Sequence, residues 1–235
     1  MKYFLGLFLT ILITPLNAAS ESGFFVLNTW LSPNLQYAKK NPTNELIKDA
    51  FKRLNIDLTI DVKPPERSIR EDNNGIVDGE FMRIATISEF YPNLLKVPQR
   101  IGHLQFVAFS HNKDIDLTNG WSALADYKIG YVTGWKIVEK NIAHFKHSYP
   151  VGNAETMFNM LASKRFDVIV YSKNKGLEII DHKGLTKIKL INPPLSKQAM
   201  FLFVHQKHRA LIPKINQALI DTSISHKLAG SKITL

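Results

Sequence analysis

Short runs of β-branched and aromatic residues alternate with amphipathic helical runs along this chain, and no other feature restricts its fold as much. "GFFVLNTW" (23–30) reads as a first strand. Pro42-Thr43 then opens a helix with Thr43 as N-cap, and Leu46, Ile47, Ala50, Phe51 and Leu54 make its apolar face. "IDLTIDV" (56–62) alternates as a second strand. A short helix is predicted over 65–73, with Gly75 where a helix end wants a residue tolerant of positive φ. "IVDGEF" (76–81) is a third strand.

A second set begins near residue 104. "LQFVAFS" (104–110) and "YKIGYVTGW" (127–135) read as strands, the latter running into a glycine turn with a helix from Trp135. "NAETMFNMLAS" (153–163) is a helix with Asn153 as N-cap and Met157, Phe158, Leu161 and Ala162 on one face. "FDVIVYS" (166–172) and "AMFLFVHQK" (199–207) are strands, and Pro213 opens a last helix carrying Ile215, Ala218 and Leu219. Such alternation is the pattern of an α/β fold with mostly parallel sheets. Two successive sets in 235 residues imply two small lobes, and clefts at the carboxyl ends of strands are where α/β folds bind ligands.

Residues 1–20, "MKYFLGLFLTILITPLNAAS", have the charged start, apolar stretch and small-residue end of a cleaved secretory signal peptide. The apolar stretch is short for a membrane span, which takes roughly 20 residues. Export to a periplasm is expected. The chain has no cysteine, which excludes a lipidated N-terminal Cys, cysteine nucleophiles and thiolate metal sites. The formal charge is +10, or +9 once Lys2 leaves with the leader. The basic residues are scattered, without the blocks of a nucleic-acid-binding tail, so nucleic acid is not an expected partner. The excess favours anionic ligands by steering.

Catalytic signatures are missing: no G-x-S-x-G, G-x-G-x-x-G or P-loop occurs. His144 and His147 on an expected helix, and His205 and His208 in a strand-to-loop region, are spaced three apart, as metal ligands are on a helix. Neither pair has an evident third ligand, so no metal and no cofactor are expected. Glu66, Asp78 and Glu80 are the carboxylates to consider for acid–base chemistry. The segment "PPERSIREDNNGIVDGEFMRI" (64–84) is unusual in gathering Arg67, Glu80 and Arg83 beside apolar residues that read as core, as a ligand cleft requires.

The segments "ELIKDAFKRLNIDLTI", "ERSIREDNNGIVDGEFMRI", "YPNLLKVPQRI", "ALADYKIGYVTGWKIVEKN", "MFNMLASKRFDVIVYSKNKGL" and "HQKHRALIPKINQAL", in this order, resemble the bacterial extracellular solute-binding proteins of family 3. The resemblance implies a two-lobe type II periplasmic-binding-protein-like fold, each lobe a small mostly parallel sheet flanked by helices. Residues 21–107 and 203–235 would form lobe 1 and 108–202 lobe 2, joined by two crossover strands at 104–110 and 199–207. It implies a monomer without catalytic activity that captures a small solute by hinge closure and presents it to a membrane transporter of the ABC type or to a sensor.

The chain departs from the family's amino-acid binders at both anchors. Phe90 stands where they carry the Arg that holds the α-carboxylate, and Ser172 where they carry the Asp that holds the α-ammonium. A neutral hydroxyl leaves a buried ammonium uncompensated. The expected solute is therefore polar or anionic, and not a standard α-amino acid bound in the usual way. Expected ligand contacts are Trp30, Arg67, Glu80, Arg83, Gly134, Trp135, Tyr171 and Ser172. Arg83 and Arg67 would meet an anion, Glu80 a cationic group or either arginine, and the Gly134-Trp135 loop an anion through backbone N–H groups. Trp30 would form a cleft wall. An Arg–Glu pair fastening the third strand to its helix, and tryptophans that are simply core, account for the same residues. A rival expectation is a dehydratase-like enzyme on this fold with Glu80 as general acid. A third is an interaction module with a filled cleft.

Overall fold

The alternating runs become eight strands and six helices in the computed structural model, which describes residues 24–30 and 42–229. In chain order these are β1 (Phe24–Thr29), α1 (Pro42–Arg53), β2 (Asp57–Val62), α2 (Pro65–Asn73), β3 (Gly79–Ile84) and β4 (Leu94–Ser110). There follow β5 (Ile129–Val132), α3 (Lys136–Ile142), β6 (Ser148–Val151), α4 (Ala154–Ala162), β7 (Val168–Ser172), α5 (Lys173–His182), β8 (Lys189–His205) and α6 (Ile212–Leu228). The expected signal peptide lies outside the described residues. No helix among those described is long and apolar enough to cross a membrane.

The strands form one mixed sheet in the order β2-β1-β3-β8-β4-β7-β5-β6. β1 runs parallel to β2 and β3, and β5 runs parallel to β6 and β7. The two trios sit on opposite sides of the antiparallel pair β4 and β8, each 17 residues long. That pair passes from the half built on β2-β1-β3 to the half built on β7-β5-β6. The two-lobed α/β architecture with two crossover strands is thus observed.

Local chemistry explains most elements. α1 buries Leu46, Ile47, Ala50 and Phe51 at helical spacing and ends in Lys52 and Arg53, which suit the negative end of its dipole. α2 starts at Pro65, whose fixed φ suits a first turn, and stops before Gly75 at φ +73°. In α4 the Asn153 side chain accepts a hydrogen bond from the Thr156 N–H at 2.8 Å.

Three expectations are corrected. α1 begins at Pro42, so Thr43 lies within the first turn instead of capping it. His144 and His147 occupy the turn after α3 rather than a helix. The crossover strands are much longer than "LQFVAFS" and "AMFLFVHQK". β4 runs through Pro98 and Gly102, and β8 through Pro193-Pro194, all of which read as breaks. The ladder absorbs them by register shifts at Lys96/Arg100, Arg100/Gly102 and Phe106/Ala108.

Candidate functional site

In a regular strand, residues three apart point to opposite faces. Glu80 and Arg83 do not, because β3 shifts register between Phe81 and Arg83 where Met82 has φ +67°. This bulge adds one residue and turns both side chains to the same side. Arg83 Nη2 donates to Glu80 Oε1 at 2.5 Å and to the Pro65 carbonyl at 2.7 Å. Its Nη1 donates to the Gly134 carbonyl at 3.2 Å. Pro65 belongs to the first half and Gly134 to the second, so one guanidinium ties the halves together. Arg83 is 4% exposed and Glu80 is fully buried.

Sequence reasoning missed the residues behind this pair. Ser68 Oγ donates to Glu80 Oε1 at 2.7 Å, and Asn28 Nδ2 donates to Asp72 Oδ1 at 2.9 Å. Asn28, Ser68 and Asp72 are all fully buried. Burial, and then the neighbouring negative charge of Glu80, hold the Asp72 carboxyl well above the usual carboxylate range, against the opposing pull of Arg83. A signal was present in the sequence. Ser68 and Asp72 stand four apart on the same helix face as Pro65 and Ile69, so polar residues occupied a core-facing stripe.

Beside the ion pair lies an aromatic cluster drawn from both halves. Trp30, at the end of β1, donates its indole N–H to the Met82 carbonyl freed at the bulge, at 3.0 Å. Its ring lies 4.9 Å from that of Trp135, which stacks on Tyr171 at 4.5 Å and meets the edge of Phe106 at 5.4 Å. Trp135 and Tyr171 are buried, and burial raises the Tyr171 phenol above its ordinary pKa. A cavity of about 550 Å³ opens against this cluster. Trp30, Lys63 and Pro64 line it from the first half, and Trp135, Asn153, Tyr171 and Lys175 from the second. A much smaller pocket of about 30 Å³ shares Trp30 and Trp135 with it and is lined also by Arg83 and Phe106.

The remaining expected site residues fall in varied places. The backbone N–H of Gly134 already donates to Glu139 Oε1 at 2.6 Å, so a carboxylate of the protein holds the position expected for an anion. Lys136 Nζ pairs with Glu139 Oε2 and, across the halves, with Glu66 Oε2, each at 2.8 Å. Ser172 is buried, and no hydrogen-bonding partner reaches its Oγ among the described residues. Arg67 is not brought to the cluster: its side chain is 71% exposed and pairs with Glu71 at 2.8 Å. Phe90 is half exposed beyond β3. No group of three His, Cys, Asp or Glu side chains among the described residues is arranged to hold a metal.

No family model matches the chain, and no curated protein matches it in sequence. Solved structures do resemble it. A histidine kinase sensor domain with similarity to periplasmic binding proteins superposes with a TM-score of 0.74 over 89% of this chain and 94% of that one, at 13% identity. An ancestral arginine-binding protein bound to glutamine gives 0.69 over the same shares, at 18% identity. An amino acid ABC transporter substrate-binding protein from Streptococcus pneumoniae, bound to L-arginine, gives 0.68 over 89% and 91%, at 12% identity. The fold is that of the periplasmic binding proteins.

Proposed function

We propose that this protein is a non-catalytic periplasmic solute-binding protein. It closes its two halves on a small polar or anionic solute and presents the closed form to a membrane transporter or sensor. The observation that carries this reading is the cavity of about 550 Å³ walled by both halves, since a solute held there stabilises closure by touching both. Trp30, Trp135 and Tyr171 supply flat apolar surface. Asn153, Thr156 and Glu155 supply polar groups, together with Lys63 and Lys175, which pair with Glu71 and Glu178. Arg83, Glu80 and Gly134 set the closed geometry beside the solute.

The solute is not a standard α-amino acid held in the usual manner. Ser172 brings no charge to an ammonium, and Phe90 offers no guanidinium to a carboxylate. The sensor domain and the amino-acid binders with this fold bear on the partner class only through shared architecture. Glu80 lines neither cavity and is held by Ser68 and Arg83, so no observation favours a general acid there.

A thermal-shift screen of the mature protein against a metabolite library that includes the common amino acids tests the reading. One or more polar or anionic solutes should stabilise the protein, by about 2.7 kcal/mol at 100 times the dissociation constant. Trp135→Ala should abolish the shift. Stabilisation by standard amino acids alone would overturn the solute assignment, and no stabilisation by any compound would overturn solute capture.

A further inference from the structure

Two carboxyl groups and one guanidinium share a buried cluster at the boundary between the halves. Asp72 and Glu80 are fully buried and Arg83 nearly so. With both carboxyls ionised the cluster would carry a net negative charge removed from water, which is strongly unfavourable. One proton must be retained, and the hydrogen bonds show where. Glu80 Oε1 receives two donors, Arg83 Nη2 at 2.5 Å and Ser68 Oγ at 2.7 Å, so Glu80 has the surroundings of an anion. Asp72 receives a single amide donor, from Asn28 at 2.9 Å. Among the described residues, one oxygen of each carboxyl, Asp72 Oδ2 and Glu80 Oε2, has no donor, and Asn28 Oδ1 and Arg83 Nε beside them are likewise without a partner. Asn28, which donates to Asp72, stands opposite Glu80 in the β1–β3 ladder, and Ser68, four residues before Asp72 on α2, donates to Glu80, so the two carboxyls are neighbours. A proton on Asp72 Oδ2 donated to Glu80 Oε2 satisfies both oxygens with one bond.

We propose that Asp72 is a protonated positioning residue, whose O–H···O bond to Glu80 holds the Glu80–Arg83 pair, and through it the Arg83 bridge between the two halves. The groups facing Asp72 are Asn28 from β1 and Glu80 and Arg83 from β3, with Ser68 beside it on its own helix. The arrangement does not depend on any solute, so it stands or falls apart from the function proposed above. Its consequence is linkage. Asp72 keeps its proton on folding and loses it on unfolding at any pH above its ordinary value of 3.8. Stability therefore falls as pH rises from there through neutrality, by up to about tenfold in the unfolding constant per pH unit for this one group.

The test compares urea unfolding of the parent and Asp72→Asn from about pH 5 to about pH 9. The amide of the variant reproduces the donor toward Glu80 and the acceptor for Asn28 without a titrating proton. Asp72→Asn should gain stability on the parent progressively with pH, whereas Asp72→Ala should be destabilised throughout. Parallel pH profiles for the parent and Asp72→Asn would overturn the proposal. Infrared spectra of the parent alone give a second reading that requires no variant to fold. The carbonyl stretch of a protonated carboxylic acid should persist at about pH 8, where exposed carboxyls are ionised, and its absence would overturn the assignment.

Discussion

Glu80 and Arg83, three residues apart in one strand, meet at 2.5 Å on the same side of the sheet because the residue next to Arg83, Met82, sits in a β-bulge at φ +67°. The bulge also frees the Met82 carbonyl for the Trp30 indole, so one local irregularity organises both the ion pair and the aromatic wall. Strain at such a position persists only where the surroundings hold it, and here Ser68, Pro65 and Gly134 do so.

Removing the guanidinium should cost far more than a surface ion pair would. Arg83→Ala leaves the buried Glu80 without its cation, a loss of about 3–5 kcal/mol for pairs of this kind. Chemical denaturation measures it. A loss under about 1 kcal/mol, the range of exposed pairs, would mean that the cluster is solvated.

Gly134 should tolerate no side chain. Its φ is +88°, and an added Cβ would lie 2.4 Å from the backbone nitrogen of Glu66 in the other half. Gly134→Ala must therefore push the halves apart as well as strain its own backbone by about 1–3 kcal/mol. Small-angle scattering should record a larger radius of gyration than the parent gives. An unchanged radius would contradict the close approach.

The Trp30–Trp135 contact, 4.9 Å between rings, spans the two halves and supplies a spectroscopic report of closure. Near-UV circular dichroism should lose the same coupled band in Trp30→Phe and in Trp135→Phe. Independent, additive changes in the two variants would show that the rings do not touch.

Acid should weaken the link between the halves at Glu66. Burial opposes ionisation there, but Lys136 and Arg70 outweigh it and hold the Glu66 carboxyl below its ordinary value of 4.5. A lowered folded-state value gives stability that is present above 4.5 and lost as pH falls through the folded value. Lys136→Met should flatten that acid limb of the stability profile, measured by urea unfolding between about pH 3 and about pH 6. An acid limb as steep as the parent's would show that Lys136 does not hold Glu66.

What the sequence determined by itself was the alternation of strands and helices and most of their inner faces, although β6 and α5 went unread and β3 lies at Gly79–Ile84 instead of 76–81. Helical spacing in α1 and α4, the Pro65 start and Gly75 end of α2, and the apolar runs of β5 and β7 are local signals, and local physics is legible in one dimension. Glu80 and Arg83 were also legible as candidates, because charges stood beside core positions, while Trp30, Trp135 and Tyr171 became candidates through the family resemblance. Only the tertiary structure decided what they face. It turned Glu80 and Arg83 to one side through a bulge no propensity announces, and it set Asn28 and Asp72, 44 residues apart, in hydrogen-bond contact. It gave the Gly134 amide to Glu139 and left Arg67 at the surface. Charge pairing and burial depend on neighbours that chain closure brings together from distant segments, and those neighbours are not encoded in the spacing of any one of them.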